Sequence, residues 1–97
     1  MTKGWIKWTH WLSGGGSEYG EMPRSDMQKQ LQIFEQEAKE TLEKTKADHV
    51  LYAIKYLDDD GIPEKIHFYM LPMTEREFTE KVSNMRKVQV YALHAMK

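Results

Sequence analysis

Apolar and polar positions along this chain change period several times, and each change marks an element. From Met27, apolar residues recur at Leu31, Phe34, Ala38 and Leu42. Steps of three and four lay one stripe along a helix. Ser25, followed three residues later by Gln28, reads as a capping box: the hydroxyl takes a free N–H of the first turn and the amide returns to the cap. Glu35 with Lys39, and Glu40 with Lys44, set opposite charges one turn apart on the solvent side. The pattern predicts a helix over residues 26–46.

Around that helix the period drops and strand formers take over. Residues 5–12 read Trp-Ile-Lys-Trp-Thr-His-Trp-Leu, aromatic and β-branched enough for a pleated surface. Residues 13–24 contain Ser13-Gly14-Gly15-Gly16-Ser17, a further glycine and Pro23, the composition of a flexible loop. The same composition suits a tether, in which case residues 1–12 are an appended peptide. Residues 49–57 and 65–71 read as two strands of a hairpin around Asp58-Asp59-Asp60-Gly61-Ile62-Pro63. Pro72 ends the second of them. Thr74 with Glu77 is another capping box, and Phe78, Val82 and Met85 form the stripe of a short helix over residues 75–86. Residues 88–96 close the chain as a strand.

The order strand, helix, strand, strand, helix, strand predicts one α+β domain over residues 1–97, with residues 13–24 as a flexible loop. It resembles a ferredoxin-like sandwich, a βαββαβ unit with a four-stranded antiparallel sheet and both helices on one face. The resemblance is architectural, and that fold hosts many unrelated activities. A chain of 97 residues supports a single core.

Alternation along the strands then divides side chains between helices and solvent. Ile6, Trp8 and Leu12, then Ile66, Phe68 and Met70, then Val88, Val90 and Ala92 are assigned inward. Trp5, Lys7, Thr9 and Trp11, with Lys65, His67, Tyr69 and Leu71, and Gln89, Tyr91, Leu93 and Ala95, are assigned outward. Residues 49–57 are apolar on both faces. A solvated antiparallel face should be polar, whereas this one carries Trp and Tyr beside lysines. The plain alternative is that these rings pack under the Gly-rich loop or at sheet edges. Otherwise an apolar, aromatic patch marks a binding surface, with Trp5, Lys7, Trp11, Lys65, His67, Tyr69 and Tyr91 as its residues. Three occupants fit: a protein, most simply a second copy; unpaired bases stacked on the rings; or an apolar metabolite in a small dimeric α+β barrel. Residues 65–70 lack the Lys/Arg-Gly-aromatic run of RNA-recognition strands.

Composition narrows the chemistry. There is no cysteine, so disulfides, thiolate catalysis and cysteine-held metals are excluded. A formal charge of −1 nominates neither nucleic acid nor an acidic partner in bulk. No charged-then-apolar leader is visible, and no apolar run approaches bilayer length. His10, His49, His67 and His94 are the near-neutral bases, with none in a metal-binding spacing. By alternation His10 and His94 point toward the helices and His67 outward. Asp58-Asp59-Asp60-Gly61 fails the calcium-loop pattern because residue 67 is His rather than Glu, and the triple glycine lacks a following Gly-Lys-Ser/Thr. The sequence therefore reads as a cytoplasmic, non-enzymatic protein-binding module without cofactor or metal. An accessory or inhibitory protein of the kind bacteriophages encode has this profile. A single-stranded RNA or DNA binder is the alternative.

Overall fold

In the computed structural model, residues 4–12 and 14–96 are described. Ser13, part of the expected loop, and the chain ends lie outside the described residues. The elements are β1 (Trp5–Trp11), β2 (Ser17–Pro23), α1 (Arg24–Thr45), β3 (His49–Leu57), β4 (Pro63–Met73), α2 (Glu75–Val82) and β5 (Val88–His94). They build one five-stranded sheet in the order β2-β1-β4-β3-β5. Neighbours are antiparallel except β1 and β4, which run parallel. This corrects the expected ferredoxin-like sandwich: there are five strands rather than four, the sheet is mixed, and the helices lie on opposite faces.

The extra strand causes the change. Residues 17–23 are not loop but the return strand of a hairpin, pairing Trp11 with Ser17 through to Trp5 with Pro23. Leu12 N–H reaches the Gly16 carbonyl and Gly15 N–H the Leu12 carbonyl, both at 3.2 Å, with Gly15 and Gly16 at φ 96° and 84°. Only glycine takes that backbone without strain, so the glycine run makes a tight return instead of a tether. Gly20 faces Trp8 across the hairpin, and a Cβ there would lie 3.1 Å from the indole. Pro23 is tolerated because β2 is an edge strand. With β2 occupying the edge beside β1, the last strand goes to the far edge beside β3.

α1 follows β2 directly. The expected Ser25 cap is not formed: Pro23 is the N-cap residue, with no side-chain cap bond. Instead Arg24 N–H bonds the Gly4 carbonyl at 2.6 Å, tying the helix start to the foot of β1. The helix ends at Lys46, φ 56°, whose N–H returns to the Leu42 carbonyl. Its stripe is the expected one, with Leu31 and Ala38 buried and Met27, Phe34 and Leu42 packed against the same core.

A bulge in β3 settles the strand that was apolar on both faces. The register slips between Leu51 and Ala53. Against β5, Leu51–Ala92 is followed by Ala53–Tyr91, so Tyr52 is the extra residue, whereas against β4, Leu51–Leu71 is followed by Ala53–Phe68 and the extra residue is on β4. Val50, Tyr52 and Ala53 join the core under α1 with Ile6, Met22, Ile66 and Phe68. Leu51 and Ile54 turn the other way and are still 0% exposed. What packs on that side is α2. Its Phe78 stacks on the His49 ring at 4.3 Å, and Lys81 lies over Tyr69. The bulge also fixes the phase of β5: Ala53 pairs with Tyr91 and Val50 with Leu93, so Tyr91 and Leu93 face α1. Val88, Val90 and Ala92, expected inward beneath a shared helix layer, face the α2 side. The Thr74–Glu77 capping box forms as expected, with Glu77 N–H on Thr74 Oγ1 at 3.1 Å and Thr74 N–H on Glu77 Oε1 at 2.9 Å.

Candidate functional site

α2 is short and covers one end of its sheet face. It touches β3 and β4, leaving the part of the face built by β2, β1 and the adjoining edge of β4 uncovered. Alternation in β1 sends Trp5, Lys7, Thr9 and Trp11 to that surface. β2 sets Tyr19 across from Thr9 and Glu21 across from Lys7. β4 sets Lys65 beside Lys7 and His67 beside Thr9. β3 adds Tyr56 across from Lys65. Trp5 and Trp11 remain 44% exposed and Tyr19 80%, large apolar surface on a rigid sheet.

His67 is the hub. Trp11 Nε1–H donates to its Nδ1 at 3.3 Å, and the Tyr69 hydroxyl lies 3.4 Å from the same nitrogen. Tyr56 approaches its ring edge-on, with centroids 4.8 Å apart. An accepting Nδ1 assigns the ring proton to Nε2. Burial, and secondarily the Lys65 ammonium, hold the imidazole below its usual pKa, so this ring is neutral. Tyr69 is raised above the usual phenol range by burial first and by the neighbouring Tyr56 hydroxyl next; it too stays uncharged. Lys65 sits 4.9 Å from the Tyr56 ring centre and Lys81 5.6 Å from that of Tyr69. Lys7 and Lys65, neighbours in the parallel pair, bring two like charges together, a destabilising arrangement within the sheet.

Of the residues singled out in the sequence, Trp5, Lys7, Trp11, Lys65, His67 and Tyr69 share this face. Tyr91 does not: it lies on the α1 side, 6.1 Å from the Tyr52 ring, with Lys55 over it at 5.5 Å. Tyr19, Tyr56 and Lys81 belong to the surface and were not singled out. Tyr19 was hidden by reading residues 13–24 as loop, although its two-residue offset from Glu21 and Ser17 is strand spacing. Tyr56 needed the Tyr52 bulge to be known, and Lys81 needed the helix to change sides.

The arrangement offers flat rings, hydrogen-bonding edges and ammonium groups. No group of three or more metal-ligating side chains exists among the described residues. A separate cluster lies at the opposite end of the sheet. His49, 4% exposed, engages the Glu75 carboxylate through Nε2 and His94 through Nδ1, and Glu75 N–H bonds Asp48. This knot fastens the start of α2 to β3 and β5. His94 therefore faces α2, while His10 faces α1, edge-on to Phe34 at 5.0 Å. The acidic hairpin turn is internally satisfied: Asp58 Oδ1 accepts the N–H groups of Asp60 and Ile62, both at 2.9 Å. Among the described residues no helix is long and apolar enough to cross a membrane. Comparison with protein-family models, with curated proteins and with solved structures finds no match to this chain.

Proposed function

We propose that this chain is a non-enzymatic protein-binding module, working in the cytoplasm, whose uncovered sheet face seats a protein partner. The observation that carries the reading is the exposure of Trp5, Trp11 and Tyr19 on one face of a two-sided sheet whose other parts are helix-covered. Trp and Tyr dominate binding energy where they sit at the centre of an interface. They are held here by the β1–β2 pairing, in which Trp5 meets Pro23, Trp11 meets Ser17 and Tyr19 meets Thr9, so little order is lost on binding. Lys7, Lys65 and Lys81 against Glu21 give the face a positive balance, which favours a partner with an apolar centre and an acidic rim. The same balance disfavours an identical face, so a different protein fits better than a two-fold pairing of copies.

One observation supports a second reading. Lysines stationed over Tyr56 and Tyr69 beside exposed indoles resemble a stacking platform for unpaired bases. Wild-type and Trp11→Ala/Tyr19→Ala chains, used as baits in a lysate of source cells with and without nuclease, separate the two. A protein held by the wild type, lost from the variant and indifferent to nuclease supports the first reading. Retention that collapses with nuclease and falls steeply with salt moves the function to nucleic acid. Equal retention by both baits removes the aromatic face from the function.

A further inference from the structure

A different surface, on the α1 side, carries a cleft. Residues of β1, β2, β4 and the first half of α1 enclose it, a volume of about 250 Å³. Its floor is aromatic: Trp8, Phe34 and Phe68, the last two stacked at 4.4 Å. The indole of Trp8 lies flat against β2 because residue 20 has no side chain. Two carboxylates stand on opposite walls, Glu18 from β2 and Asp26 from the first turn of α1. His10 lies 3.7 Å from Glu18 and edge-on to Phe34. No lysine or arginine lines the cleft among the described residues.

We infer that this cleft binds a small organic cation, an aryl- or alkylammonium ion with a body of about one ring. Three features select that class together. Ring faces attract a cation through their quadrupole and cover its hydrocarbon part. The carboxylates supply charge complementarity at the mouth, where an anion is repelled. The volume lies just below the usual range for drug-sized ligands, which matches a body of about one ring. This site is independent of the open sheet face, from which it is separated by the sheet itself.

The test is an NMR titration of the full chain with phenethylammonium, with 3-phenylpropionate as anion and 2-phenylethanol as neutral analogue. The expected result is saturable shifts at the Trp8 indole N–H and the amides of Glu18 and Asp26, with a dissociation constant of about 1 mM or tighter. Binding of both analogues should be weaker by about tenfold or more. Glu18→Gln with Asp26→Asn should erase that preference at unchanged circular dichroism. If the double variant unfolds, Glu18→Gln alone, on an exposed side chain, should reduce it. Equal affinity for cation and analogue overturns the inference, as does the absence of saturation at about 10 mM cation, well above that dissociation constant. Shifts confined to the Trp5 and Trp11 indoles also overturn it, because they place the cation on the other face.

Discussion

Two histidines stand on the same side of the sheet and show what α2 changes. His49 lies under the helix: Phe78 stacks on it, Glu75 takes one ring nitrogen and His94 the other. His67 lies beyond the helix, ringed by Trp11, Tyr56 and Tyr69, with Lys65 nearby and, among the described residues, no carboxylate bonded to it. The covered histidine is a fastener, satisfied from every direction by the protein's own groups. The uncovered one sits in a cluster that is apolar, positively bordered and half-open. One sheet face thus divides into a part that completes the fold and a part that the fold does not need.

That division is sharpest in stability. Leu51→Ala, beneath α2, should cost about 2–5 kcal/mol in urea unfolding, the range for a large buried aliphatic side chain. Trp5→Ala on the open part should cost well under that, about 1 kcal/mol or less, since it removes partly exposed surface. Comparable losses at both positions would mean that the open part is core after all.

Binding should show the reverse order. Trp11→Ala should weaken the partner complex by about 2 kcal/mol, the scale of interface hot spots, whereas Leu51→Ala, in chains that remain folded, should leave it nearly unchanged. Calorimetric titration of the captured partner measures both.

The pH response singles out His67 next. The folded pKa of His67 lies below the unfolded value of 6.5, so the unfolded chain takes up its proton first. The associated stability is complete above about pH 6.5 and is lost as pH falls from there toward the folded pKa. His67→Gln should remove that part of the decline in melting temperature measured between about pH 7.5 and 5.5. An unchanged slope would show that His67 titrates as it does in the unfolded chain. Tyr52, by contrast, is pushed up to about 12 by burial and then by the Glu35 carboxylate its hydroxyl meets at 3.4 Å; it contributes no pH dependence near neutrality.

The smallest expected effect lies away from both regions. Asp58→Ala should cost about 1 kcal/mol, the worth of a capping-type carboxylate, because its carboxylate holds two turn N–H groups. A null result in thermal melts would reduce the turn to a solvated connection.

Much of this was legible from local signals. The stripe from Met27 to Leu42 marks α1, and Thr74 with Glu77 marks the start of α2, because both depend on neighbours within a turn. The set Trp5, Lys7, Trp11, Lys65, His67 and Tyr69 shares a face because alternation within β1 and β4 is unbroken over those positions. What sequence periodicity did not resolve depends on pairing between distant segments. Tyr52 as a bulge is invisible without its partner strand β5, and Tyr91 inherits its orientation from that bulge. β2 was lost because glycine and proline at an edge strand look like loop chemistry when taken alone.

The parallel seam between β1 and β4 sets an order of events. The β1–β2 hairpin closes locally, on the microsecond scale of such elements, and α1 follows it in the chain. Its other neighbour, β4, arrives only after α1 and β3, since Lys7 must find Lys65. Such distant pairings are slow because chain closure precedes any reward. During synthesis, therefore, the hairpin waits with one side of β1 unpaired, a template for any passing strand. Lys7 discourages stray pairing at that edge during the interval, and its place beside Lys65 is a cost the finished sheet still bears.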